Sequence, residues 1–234
     1  MKPRFFLLAA AAMIAAAIFA ATGSAFAHSK GKGVVVEDEH AVTPFKDDGY
    51  AIKPPEPRSL GGDFEIEDTN GNLVTSETLK GKWFLIYFGY PSCREACPTA
   101  LENMTQALIQ MGSDADAVQP LFVDFSMEKP DPKGVAQFVS NFHPKLKGLV
   151  GSRAQIFTML RLYKVRRDYG NEFYSTKETG PRIDHTTYFY LVDPTGVTRT
   201  YFYHTLAPEK MAAALREQMA LAQKDAGAPK PAVK

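Results

Sequence analysis

Two cysteines, Cys93 and Cys97, stand in the stretch "GYPSCREACPT", and the 234-residue chain has no others. Thiols at this spacing can close a disulfide, cycle as a redox couple or share a metal ion. In a regular helix they would share one face with Cβ atoms ~5–6 Å apart, longer than the ~3.5–4.5 Å of a relaxed disulfide. Pro91 and Pro98 favour an irregular turn, so the disulfide stays open as an alternative. A metal ion spans the gap more easily, because two bonds of ~2.3 Å, the value for zinc, let the sulfurs stand up to ~4.6 Å apart. Two thiolates favour copper(I) or zinc, and zinc normally recruits a fourth partner.

Among the five histidines, His185 stands out by position, just before the apolar run "TTYFYLVD" and at the expected edge of the sheet that also carries the cysteines. A Cys2His set suits trigonal copper, whereas an isolated histidine is more often a hydrogen-bonded loop residue. Asp184 is a candidate to orient that ring. His143 and His204 have no metal companions in the sequence and receive no role. Met127 could lend a thioether but reads as core filler. Arg161, Lys164, Arg166 and Arg167 read as a solvated face, with a docking surface as the alternative.

The elements that must position these groups alternate. "DFEIED" and "LVTS" flank an Asn-Gly turn and predict a β-hairpin, and "KWFLIYFGY" reads as a strand buried on both faces. "CPTALENMTQALIQM" sets Ala100, Leu101, Met104, Leu108 and Met111 at helical spacing, and "VQPLFVDF" reads as a second buried strand. Helices at "PKGVAQFVSNF" and "SRAQIFTMLRLYKV", a hairpin of "TTYFYLVD" and "VTRTYFYH", and a helix from Pro208 to about Gln223 complete the order. The expectation is an α/β fold, a thioredoxin-like mixed sheet flanked by helices with an N-terminal β-hairpin. The cysteines then fall where a buried strand gives way to a helix, where reactive groups in such sheets gather.

The chain opens with Lys2 and Arg4 ahead of an apolar run from Phe5 to Ala21 and an Ala25-Phe26-Ala27 site, the layout of an export signal. Residues 1–27 are expected to be a signal peptide, with an uncleaved membrane anchor as the alternative because the run approaches the ~18 residues of a spanning helix. Cleavage before His28 would leave an amine and imidazole able to chelate copper(II), but the residue reads first as an incidental histidine on a flexible N-terminus. Residues 28–59, with Pro54, Pro55 and Pro57, read as an extended linker, 60–223 as the folded domain and 224–234 as a flexible tail. A net charge of +1 gives no case for nucleic acid.

The stretches "FGYPSCREACPTALENM", "PLFVDFSMEKPDPKGVAQFVSNFHPKLKGLVGS" and "DHTTYFYLVDPTG" resemble the SCO (SenC/PrrC) family of thioredoxin-like copper proteins, which assist assembly of the binuclear copper site of cytochrome c oxidase. The resemblance implies copper held by Cys93, Cys97 and His185. It implies a metallochaperone with a cytochrome c oxidase copper-site subunit as recipient; the leader places it in the periplasm, where a thiol reductant must keep the sulfurs open. The alternatives are a thiol-disulfide oxidoreductase acting through Cys93 and Cys97 on the target's cysteines, or a redox or copper sensor. One departure stands out: where the family reads Asp-Pro-x-Arg-Asp, this chain has "SMEKPD", with Ser126 and Met127 replacing Asp-Pro and Lys129 replacing arginine.

Overall fold

A computed structural model describes residues 51–52, 60–126, 129–169 and 183–227. The expectations for the leader, His28, most of the linker, Met127 and the end of the tail lie outside those residues.

The organising element is β4 (Trp83–Gly89), whose seven residues are all buried. It runs parallel to β5 (Val118–Asp124) on one side and antiparallel to β9 (Tyr188–Val192) on the other, so both faces and both edges are covered. That is why its sequence is continuously apolar rather than alternating. β1 (Ala51–Ile52), β2 (Glu65–Asp68), β3 (Leu73–Thr75), β6 (Lys147–Val150) and β10 (Thr198–Tyr203) complete an eight-stranded sheet in the order β1-β10-β9-β4-β5-β6-β2-β3. β2 and β3 form the expected hairpin, Ile66 opposite Val74. β1, the outermost strand on that side, pairs with β10 and falls inside the segment read as linker.

Helices cover both faces. Leu85 and Tyr87 of β4 join a core with α1 (Ala96–Met111), α2 (Pro132–Val139) and α4 (Pro208–Gly227), while Phe84, Ile86 and Phe88 face α3 (Arg153–Leu162). Helices α1 and α2 connect parallel neighbours and share a face, as right-handed crossovers require. The residues read as the apolar stripe of α1 are all buried, and each leucine or methionine so placed contributes ~1.5–3 kcal/mol. Local signals set the helix starts: Asp131 accepts from the Gly134 N–H at 3.0 Å with Pro132 in the first turn of α2, and Ser152 and Gln155 form a reciprocal capping box on α3.

Besides β1, three features depart from the sequence reading. β6 received no strand assignment because only four residues separate a lysine-flanked turn from the cap of α3. Helix α4 runs on to Gly227, into the stretch expected as tail. β7 (Arg167–Tyr169) and β8 (Ile183–His185) form a separate two-stranded ladder, which no hydrophobic period announced.

Candidate metal centre

Where β4 ends, the chain turns rather than entering the helix directly. The Cys93 N–H bonds to the Tyr90 carbonyl at 3.1 Å, and the Phe125 N–H holds the Gly89 carbonyl at 3.0 Å, tying the turn to the end of β5. Glu95 stands at the cap position of α1 and supplies no side-chain bond. Instead the Cys93 sulfur accepts the Cys97 N–H at 3.4 Å, filling one of the orphan donors of the first turn. Pro98 sits in that turn, where its missing N–H costs nothing. Residues 93–97 are therefore not a helical turn: Cys93 stands outside the helix and Cys97 inside it. Both are free thiols, Cys97 fully buried and Cys93 half-buried.

Gly89 makes room for this. A Cβ on Gly89 would meet the Cys97 sulfur at 2.8 Å and the Phe122 ring at 2.7 Å, so any side chain there would push the sulfur out. Two thiols in contact share protons unequally. Hydrogen bonding from the Cys97 thiol, then from the Cys97 and Glu95 N–H groups and the Tyr90 hydroxyl, outweighs burial and brings Cys93 down to about 5. The same contact, with burial and the neighbouring negative charge, pushes Cys97 far up. The contact thus favours the negative charge on the more accessible Cys93 and the proton on the buried Cys97.

His185 ends β8, paired with Arg167 of β7. It is not on the edge of the main sheet, as the sequence suggested, because Thr186 and Thr187 separate it from β9. Its Nδ1 lies 2.8 Å from the Thr186 carbonyl, which can only accept, so Nδ1 carries the proton and Nε2 keeps its lone pair. This carbonyl, rather than the Asp184 carboxylate, orients the ring. Burial lowers the affinity of His185 for a second proton. The imidazole lies edge-on to Phe125 at 4.7 Å and Tyr90 at 6.1 Å. Tyr90 also touches Cys93 and its hydroxyl accepts the Ile183 N–H at 3.3 Å, so one ring neighbours both the imidazole and the sulfur. The structure brings the two sulfurs together but does not draw His185 into their group: among the described residues, no three His, Cys, Asp or Glu side chains are gathered closely enough to hold a metal ion.

Several neighbours escaped the sequence reading. Arg167 lies over the Phe125 ring at 5.7 Å and donates to the Ser126 carbonyl at 3.0 Å. At the departure from the family pattern, Asp124 supplies a carboxylate two residues earlier, accepting from the Ser126 N–H at 3.0 Å and hydroxyl at 3.3 Å. His204, given no role above, follows β10 close enough to Cys93 to feel its charge, and its backbone N–H bonds the Thr187 carbonyl at 3.0 Å. Only Gly89 carried a readable signal, a glycine closing a buried strand just before a cysteine motif.

A mixed sheet with helices on both faces and a dithiol at the strand-to-helix junction defines a thioredoxin-like domain. The SCO1/SenC family model matches residues 52–220, and the chain belongs to that family. A SCO2-like protein of Rickettsia conorii is 33% identical over 161 residues, 68% of this chain and 77% of the relative. The structure of Bradyrhizobium japonicum ScoI with copper bound is 36% identical, with a TM-score of 0.61 over 68% of this chain and 99% of that one. Arabidopsis thaliana ScoI with copper bound is 26% identical, with a TM-score of 0.64 over 69% of this chain and 99% of that one.

Proposed function

We propose that the protein is a copper metallochaperone serving cytochrome c oxidase assembly, carrying copper on Cys93, Cys97 and His185. The observation that carries the reading is the prepared sulfur pair. Cys93 is pushed towards its thiolate form, Cys97 lies in contact with it, and the nearby imidazole has its Nδ1 proton pinned so that Nε2 is the free donor. Copper is the cargo, and this soft, uncharged-histidine donor set suits copper(I). Uptake displaces the proton of Cys97. Closure around the metal requires the imidazole to approach the sulfurs more closely than it does here. Release follows by ligand exchange with the copper-site subunit of the oxidase, and a thiol reductant outside the cytoplasm keeps the pair reduced. The leader supports a periplasmic location, with retention of that segment as a membrane anchor as the variant form.

The test is a copper(I) titration of the reduced protein. One copper per chain is expected, with binding lost in Cys93→Ala and Cys97→Ala and weakened in His185→Ala. Unchanged stoichiometry and affinity in all three would reject the site.

The asymmetry of the thiols also favours a second reading, a thiol-disulfide oxidoreductase. An accessible thiolate at Cys93 would attack a target disulfide and the buried Cys97 would resolve the mixed disulfide, leaving the target reduced and this pair oxidised. Turnover would survive His185→Ala, and Cys97→Ala would trap the mixed disulfide. Absence of any trapped adduct rejects it.

A further inference from the structure

Alternation along β4 puts Leu85, Tyr87 and Gly89 on the face that meets α1. Gly89 clears space for the Cys97 sulfur; Tyr87, two residues earlier, presents its phenol to the same thiol. The Tyr87 side chain is completely buried, its ring 4.7 Å from that of Phe189, and its hydroxyl makes no hydrogen bond of normal geometry. Tyr90 offers the contrast. Its hydroxyl serves Cys93 and is already engaged with the Ile183 N–H.

An orphaned hydroxyl in a fully buried core is destabilising, and phenylalanine would fill the same space without that cost. A neutral thiol is a poor acceptor, whereas a thiolate accepts a charge-assisted bond. A cysteine sulfur that holds a metal does so as a thiolate. The hydroxyl that lacks a partner therefore faces the atom that turns into a strong acceptor on loading.

We propose that Tyr87 is a positioning residue for the copper-bearing sulfur of Cys97, its hydroxyl held without a partner in the empty protein and donating to the thiolate in the loaded one. The inference rests on the copper reading above. It assigns Tyr87 two consequences of opposite sign: it weakens the empty fold and strengthens the loaded site. It also sets how much electron density Cys97 gives the metal, since hydrogen bonding at a cysteine sulfur tunes a copper-thiolate bond.

The test compares wild type with Tyr87→Phe in the full exported chain. In the variant, the empty protein is expected to melt no lower than wild type, and the rise in melting temperature on copper(I) loading is expected to shrink. Copper(I) affinity, measured by competition with a chromophoric chelator, should fall roughly 5- to 10-fold, the loss of one modest hydrogen bond. Loaded with copper(II), the variant's sulfur-to-copper charge-transfer band should move to lower energy, a signature that a purely structural role would not produce. Replacing Tyr87 with 3-fluorotyrosine keeps a more acidic hydroxyl and should move the band the opposite way; that arm decides the matter if Tyr87→Phe fails to fold. An unchanged band and affinity in a wild type that binds copper overturns the role of Tyr87 and leaves the copper reading standing. A wild type that takes up no copper overturns both.

Discussion

Gly89→Ala is the sharpest perturbation the structure offers, because its effect follows from two distances. The new Cβ would stand 2.8 Å from the Cys97 sulfur and 2.7 Å from Phe122 Cε2. Ordinary contact begins near 3.4 Å, so neighbours must give by about 0.6–0.7 Å. The backbone cannot supply that movement cheaply: Gly89 is in register with Asp124 on β5, and its carbonyl holds the Phe125 N–H at 3.0 Å. Phe122 is itself fully buried and packed on Phe138 at 5.2 Å, which leaves the sulfur as the lighter group to displace. Overpacking of this kind costs ~1–3 kcal/mol. For a domain of this size, melting falls ~2–4 °C per kcal/mol, giving a loss of roughly 2–12 °C. The displaced sulfur also leaves Cys93 without its main hydrogen-bond donor, so the alkylation midpoint of Cys93 should rise. Differential scanning calorimetry reads the first effect and iodoacetamide kinetics against pH the second. A variant that melts with wild type and alkylates with the same midpoint would refute the claim that Gly89 exists to seat Cys97.

Three further outcomes are expected. Folding lowers the Cys93 pKa from 9.0 to about 5, so its stabilising contribution is fully present above about pH 9 and is lost as pH falls through about 5. Alkylation of Cys93 in wild type should accordingly be half-maximal near pH 5 and flat across neutrality, and a midpoint near 9 would contradict the assignment. Because Cys93 is ionised and Cys97 is not, copper(I) uptake at pH 7 should release about one proton, measured by calorimetry in buffers of different ionisation enthalpy; release of two would show that Cys93 starts protonated. Ser152→Ala, which breaks the capping box of α3 away from the sulfurs, should cost ~1 kcal/mol in thermal or urea unfolding while leaving copper affinity unchanged.

The strands with continuous apolar runs and the helices with regular stripes were legible because burial imposes a period on them; β4, β5 and α1 are examples. The ladder of β7 and β8 was not, because three-residue strands paired with one another need no buried face of their own. The pairing of Cys93 with Cys97 could be read from spacing. Its asymmetry could not, since that arises from Gly89 on the strand floor, the Cys97 N–H and the Tyr90 hydroxyl, none of which is marked by a pattern. His185 could be singled out by its neighbours in sequence, but the packing of its ring on Phe125 and Tyr90 depends on a fold that joins residues far apart along the chain.

The imidazole of His185 hangs from a two-strand ladder, while the sulfurs are rooted where the eight-stranded sheet meets its first helix. Swinging one arm therefore breaks no rung of the larger sheet. Grip on the cargo and integrity of the scaffold are thus set by different parts of the molecule, and a carrier built this way gives up only the stability that the bound metal itself adds, keeping every rung of its sheet.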